Sequence, residues 1–294
     1  MNYKRKNLLR RLRSGLLFYA PFGILYGIFI LWPIIRMFYL STQEWNIFQS
    51  PKFVGWENFV DIIHDDVFWT SFLNTIKFTV MSTPPLIILG LLLAILFSKS
   101  YFGGFFRTAF FIPYVLSVSA ISVTWVWIFN PDPQYGLFNH ILNAVAGISP
   151  TWLASSVLAL PAIVITTIWW TQAFNTMLFT AGLQSIPKTY YEAAEVDGAS
   201  GWQQFWYITI PSLKNTFALV IVLQVLASLK IFGQVNIMTG GGPYGSSRVL
   251  LQYVYESAFE SFKMGYAAAI SVIFLLLALG FSIVQLKFQR GGRR

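Results

Sequence analysis

Six stretches of bilayer length, each with few or no charges, constrain this chain more than any other feature: residues 16–40, 72–97, 105–129, 156–183, 209–231 and 266–286. A helix crosses the hydrocarbon layer with about 20 mostly apolar residues, so each run is long enough to span. Charged residues make up 11% of the chain, less than half the share of about 25% in a soluble domain. Too few charges remain to clothe the outside of a large soluble helical core. The expectation is an all-α polytopic membrane protein with six transmembrane helices.

The cations decide its orientation. Fourteen of the 20 Lys and Arg residues fall on one side: Lys4, Arg5, Lys6, Arg10, Arg11 and Arg13 at the start, Lys99 and Arg107, Lys188 and Lys214, and Lys287, Arg290, Arg293 and Arg294 at the end. The other side has Lys52, Arg248 and Lys263 with eight of the 11 acids. By the positive-inside rule both termini are cytoplasmic. Arg36, Lys77 and Lys230 lie near the outer ends of spans, where a long stem carries the charge to the interface. The domain division that follows is a basic tail over 1–15, a six-helix transmembrane domain over 16–286 and a basic tail over 287–294. The first apolar run is about 25 residues long with no small-x-small site after it, so it reads as a retained span, not a cleaved signal. The net charge of +9 then reports topology and contact with anionic membrane lipid, with no nucleic-acid partner implied.

Several chemistries are excluded. The run Gly240-Gly241-Gly242-Pro243 lacks the Lys and hydroxyl of a phosphate-binding loop, so the chain is not expected to hydrolyse ATP. His64 and His140 stand in separate outer loops with no ligand set around them, and there is no cysteine. No metal site or catalytic residue is expected. The span centres lack Asp, Glu and His, which removes the usual proton seat of a self-sufficient secondary carrier for a neutral solute, the alternative reading.

The span centres carry neutral polar groups instead. In the fourth, Thr167, Thr171 and Phe174 follow i, i+4, i+7 with Trp170 beside them; in the fifth, Gln224 and Ser228 are at i and i+4; in the third, Ser122, Trp125 and Phe129 share a face. Such groups avoid lipid by facing the bundle interior, where they either bond helix to helix or line a path for a hydroxyl-rich solute such as a sugar. Trp125, Thr167, Trp170, Thr171, Phe174, Gln224 and Ser228 are the candidate solute-path residues. Pro84, Pro85, Pro113 and Pro161 are expected to kink these helices.

The fourth connection, 184–208, is unlike the rest. It contains YYEAAEVDGASGWQQ, with Glu192, Glu195 and Asp197 within six positions. Thr189 and Glu192 have capping-box spacing, Gly198 suits a helix end, and Ser200 with Gln203 repeats the box. Two short helices are therefore expected on the cytoplasmic side. Their acidic, small-residue surface suits a partner better than anionic lipid.

At these residues the chain resembles a known family. Glu192-Ala193-Ala194, three residues, Gly198, nine residues and Ile208-Thr209-Ile210-Pro211 are similar to the EAA motif of permease subunits of ATP-binding-cassette importers, with Ile210 in place of the usual Leu. Gly55-x-x-Asn58-Phe59, Asn74-Thr75, Thr239-Gly240-Gly241-Gly242-Pro243 and Met264-Gly265-Tyr266-Ala267 resemble its carbohydrate branch, the group of maltose, lactose and glycerol-3-phosphate permeases. The resemblance implies a type I importer permease fold in a prokaryotic cell membrane. It also implies an ATPase-coupling role for Glu192, Ala193, Ala194, Asp197, Gly198 and Ala199. The implied partners are a second permease subunit, two ATP-binding subunits that hold ATP and Mg, and an extracytoplasmic solute-binding protein.

Overall fold

A computed structural model describes residues 18–99 and 102–291. The basic tail at 1–15 and residues 292–294 lie outside the described residues. Helix dominates, as the apolar runs require, because a backbone in lipid must satisfy its own hydrogen bonds. The chain divides into two compact units: residues 1–64 with 254–274, and residues 65–253 with 275–294.

The first unit begins with α1 (Phe18–Leu40), apolar and long enough to span, and containing a π-turn at Gly27–Leu31. None of the spanning window of α1 is buried. A two-stranded ribbon follows, β1 (Gln43–Glu44) antiparallel to β2 (Lys52–Phe53), and then α2 (Glu57–Ile63). Asn58 ties them together, donating from Nδ2 to Ser41 O at 2.9 Å and Gln43 O at 3.0 Å. Gly265 lies against the same backbone: a Cβ there would sit 1.8 Å from Gln43 O, so no side chain fits. The separated Gly-x-x-Asn and Met-Gly-Tyr-Ala signatures thus converge on one strap.

The second unit holds the core. Its elements are α3 (Asp66–Lys99), α4 (Gly103–Val115), α5 (Val118–Ile128), α6 (Leu137–Ala146), α7 (Ala159–Gln184), α8 (Lys188–Val196), α9 (Gly201–Gln204), α10 (Lys214–Leu229), α11 (Gly233–Met238) and α12 (Leu250–Tyr255). The last helix, α13 (Met264–Gly291), belongs partly to each unit. Among the described residues, four helices are long and apolar enough to cross a membrane: α1, α3, Lys214–Met238 and Met264–Gln285. The bent pair α4 and α5, counted as one broken span, makes a fifth.

Two expectations need refinement. The apolar run at 105–129 is two helices bent by 97°. Leu116 and Ser117 are extended, and the Ser117 hydroxyl caps α5 by accepting from Ala120 N at 3.3 Å. A serine with cap geometry inside an apolar run starts a new helix. Pro84 and Pro85, expected to kink the second span, both lie inside α3, which runs through them as one helix of 34 residues. Pro161 falls in the first turn of α7, where its missing N–H costs nothing.

Helix α7 is central. It buries 13 of its 26 residues, and two apolar clusters grip its ends. Phe78, Ile121, Trp125, Phe129, Leu160 and Ile163 form one; Leu91, Ala94, Phe179, Leu213 and Val220 form the other. Between them lies a polar belt, which lowers the helix's apolar character and explains its absence from the four apolar spans. Close approach needs small residues. At Gly90 of α3 a Cβ would stand 2.9 Å from Asn175 Cβ, and at Gly182 of α7 one would stand 2.6 Å from Thr216 Oγ1.

Candidate functional site

The polar belt opens into a cavity of ≈ 270 Å³. Thr167, Trp170, Thr171 and Phe174 from α7 and Gln224 and Ser228 from α10 line it, so six of the seven candidate path residues share one wall. The 3.6-residue period brings them there, because each set recurs on one helix face. Trp125 is placed elsewhere, packed among Phe129 at 5.2 Å, Trp169 at 5.6 Å and Phe138 at 5.9 Å. The cavity also takes Phe78 from α3, Tyr114 from α4, Gln234 from α11 and Lys230 from the break between α10 and α11. Periodicity within one helix could not find these, since they come from other helices or from beyond a break.

The hydrogen bonds of the belt separate groups already engaged from groups still open. Asn175 Nδ2 donates to Gln224 Oε1 at 3.0 Å, and Gln224 Nε2 donates to Ser228 Oγ at 3.2 Å. Ser228 Oγ also meets Ser82 Oγ at 3.0 Å. Three helices are thereby joined through neutral groups that bond to one another, with the Asn175 Oδ1 left buried and without a partner. Thr167 and Thr171 donate to the carbonyls four residues back, Ile163 O and Thr167 O, both at 2.8 Å. Their lone pairs remain. Trp170 Nε1 is buried with no hydrogen-bond partner, and Phe174 stacks on Tyr114 at 5.7 Å with ring planes 16° apart. The cavity wall therefore carries hydroxyl acceptors and an aromatic face, without any acid.

The second candidate region is a surface. Glu192, Ala193, Asp197 and Gly198 are exposed, while Ala194 and Ala199 are half-buried. Helix α8 starts two residues before the expected position: Pro187 occupies the cap, and no side chain caps it. Thr189 then lies inside the first turn, so the Thr189–Glu192 box does not form. The C-terminal expectation holds. Gly198 has φ +77°, its N–H reaches Glu195 O at 3.0 Å, and Ala199 N–H reaches Ala194 O at 2.8 Å, the paired bonds of a Schellman ending. The Ser200–Gln203 box is formed in both directions, at 3.4 and 2.7 Å. Tyr191 Oη meets Thr209 Oγ1 at 2.9 Å and ties α8 to the turn before α10. Val196, 89% exposed, adds an apolar point to the acidic face that charge counting overlooked.

A third arrangement gathers the remaining signatures. Asn74 Nδ2 donates to Gly245 O at 3.0 Å and Arg248 O at 3.1 Å, and Thr75 Oγ1 accepts from Leu250 N at 2.8 Å. The Asn-Thr pair on α3 thus clamps the loop that follows Thr239-Gly240-Gly241-Gly242-Pro243. Thr239 Oγ1 and Ser247 Oγ close the loop at 2.8 Å.

Apolar helices packed around a polar cavity without acids are the architecture that a membrane permease needs. The chain belongs to the family of binding-protein-dependent transport system inner membrane components, whose model matches residues 67–294. It is 34% identical to the probable ABC transporter permease protein YurN of Bacillus subtilis, covering 94% of this chain and 96% of that one. It is 35% identical to the trehalose/maltose transport system permease protein MalF of Thermococcus litoralis, covering 98% of each. Its fold matches a chain of a bacterial alginate ABC transporter solved with an alginate pentasaccharide-bound periplasmic protein, with TM-score 0.83, 22% identity and 95% of each chain covered.

Proposed function

We propose that this chain is a permease subunit of an ATP-binding-cassette importer that carries a sugar or oligosaccharide across the cell membrane. The observation that carries the reading is the cavity between α7 and α10, with aromatic faces and uncharged hydrogen-bonding groups. Sugars combine ring faces that stack with hydroxyls that need partners, and such a wall answers both. The trehalose/maltose relative and the alginate transporter support the solute class.

In this reading six helices cross the membrane, α7 and the α4–α5 pair among them, and both termini are cytoplasmic. A second permease completes the path. The periplasmic protein in the alginate transporter's structure supports delivery by a binding protein from outside. Energy comes from two ATP-binding subunits, and this chain hydrolyses nothing itself. Glu192, Ala193, Ala194, Asp197, Gly198 and Ala199, with Val196 at their edge, form the docking face for an ATPase. A capped, rigid helix suits that role because a mobile loop would absorb the motion it has to transmit.

The test is reconstitution of the assembled complex. Solute-stimulated ATP hydrolysis should collapse in Gly198→Val while membrane insertion persists, because a β-branched residue is strained at φ +77°. Normal stimulation in that variant rejects the coupling assignment. Solute uptake by the chain alone, without any ATP-binding subunit, rejects the importer.

A further inference from the structure

Every residue on the cavity wall but one is uncharged. The exception is Lys230, at the end of α10 where the fifth span breaks. From sequence its stem was expected to carry the charge outward to the interface; the structure puts it on the cavity wall. A helix C-terminus stabilises a cation modestly, which accounts for its tolerance there but not for its facing the cavity. No Asp or Glu shares that wall. Lys230 is itself exposed, and an exposed lysine on a cavity wall that carries no acid marks where an opposite charge would be received.

The neutral groups narrow the visitor further. Thr167 and Thr171 have spent their protons on their own helix, so they face the cavity as acceptors for solute hydroxyls. Gln224 and Ser228 are occupied with Asn175, Ser82 and each other. Lys230 can only donate. The complementary molecule presents hydroxyls to the threonines, a ring face to Phe174 and acceptor oxygens to Lys230. A neutral sugar satisfies the first two demands. Only a sugar bearing an anionic group also answers the ammonium.

We propose that the transported solute is an acidic sugar, bearing a carboxylate, sulfonate or phosphate, and that Lys230 is the residue that selects it. The proposal rests on the sugar-import reading above. Loss of one charge-assisted hydrogen bond lowers affinity by about tenfold.

The experiment has two stages. The cognate binding protein is screened by thermal stabilisation against uronate disaccharides, sugar phosphates and sugar sulfonates, and against maltose, lactose and cellobiose. Import of the stabilising sugar is then measured in proteoliposomes holding the full complex, with wild-type, Lys230→Gln and Lys230→Arg chains. The expected result is stabilisation by an acidic sugar, import about tenfold lower in Lys230→Gln, and near wild-type import in Lys230→Arg. Reconstituted complex content, read by gel filtration, should be equal in all three. Stabilisation and import of a neutral sugar overturns the acidic-sugar inference and leaves the importer reading intact, as does undiminished import by Lys230→Gln. Failure of every sugar, acidic or neutral, to be bound and imported overturns both.

Discussion

At the residue scale, much depends on single atoms between helices. Gly90 lets α3 approach α7 at Asn175, the residue whose amide reaches α10 through Gln224. Gly90→Val forces the helices apart and costs about 1–3 kcal/mol by overpacking, read as a lower Tm in detergent. Gly104→Ala is the control, since a Cβ there has nothing within 4 Å; it should leave the Tm unchanged or raise it slightly. Trp170 separates function from stability in a different way. Its Nε1 has no partner to lose, so Trp170→Phe should keep the thermal stability within about 1 kcal/mol while import falls severalfold. A large loss of stability would place the indole N–H among the structural bonds instead.

At the element scale, the segment 188–209 behaves as one rigid piece because each of its turns is closed by a specific bond. A Schellman ending at Gly198, a reciprocal box at Ser200 and Gln203, and the Tyr191–Thr209 contact leave little backbone free. Tyr191→Phe removes a single hydroxyl and with it a bond worth about 1 kcal/mol. Amide exchange across Lys188–Val196 should accelerate about fivefold, and unchanged exchange would show that apolar packing alone holds α8. The box at Ser200 was legible because capping is a local code, with donor and acceptor three residues apart. The box expected at Thr189 failed because Pro187, with its preset φ and extended ψ, had already started the helix. Two local signals competed, and the earlier one won.

At the scale of the whole molecule, the charge asymmetry makes a directional statement that this cysteine-free chain is well suited to test. Single cysteines at Val196 and Tyr244, both exposed, should be labelled by an impermeant maleimide from opposite faces of the membrane, with Val196 on the cytoplasmic side. Labelling of both from one face would refute the orientation read from Lys and Arg. Bilayer-length runs, the charge bias between their connections and the helix ends at Gly198 and Ser200 were determined by the sequence alone, because each depends on composition or on residues within one or two helical turns of each other. The Asn58 and Asn74 straps, the 97° break at Ser117 and the convergence of α3, α4, α7 and α10 on one cavity were decided by tertiary structure. Those features join residues as much as 175 positions apart in the chain, as at Thr75 and Leu250, or depend on where a helix meets its neighbours. Lys230 shows the difference most directly: its sequence position suggested a charge near the outer end of a span, and the packing of the surrounding helices places it among the residues that line the cavity.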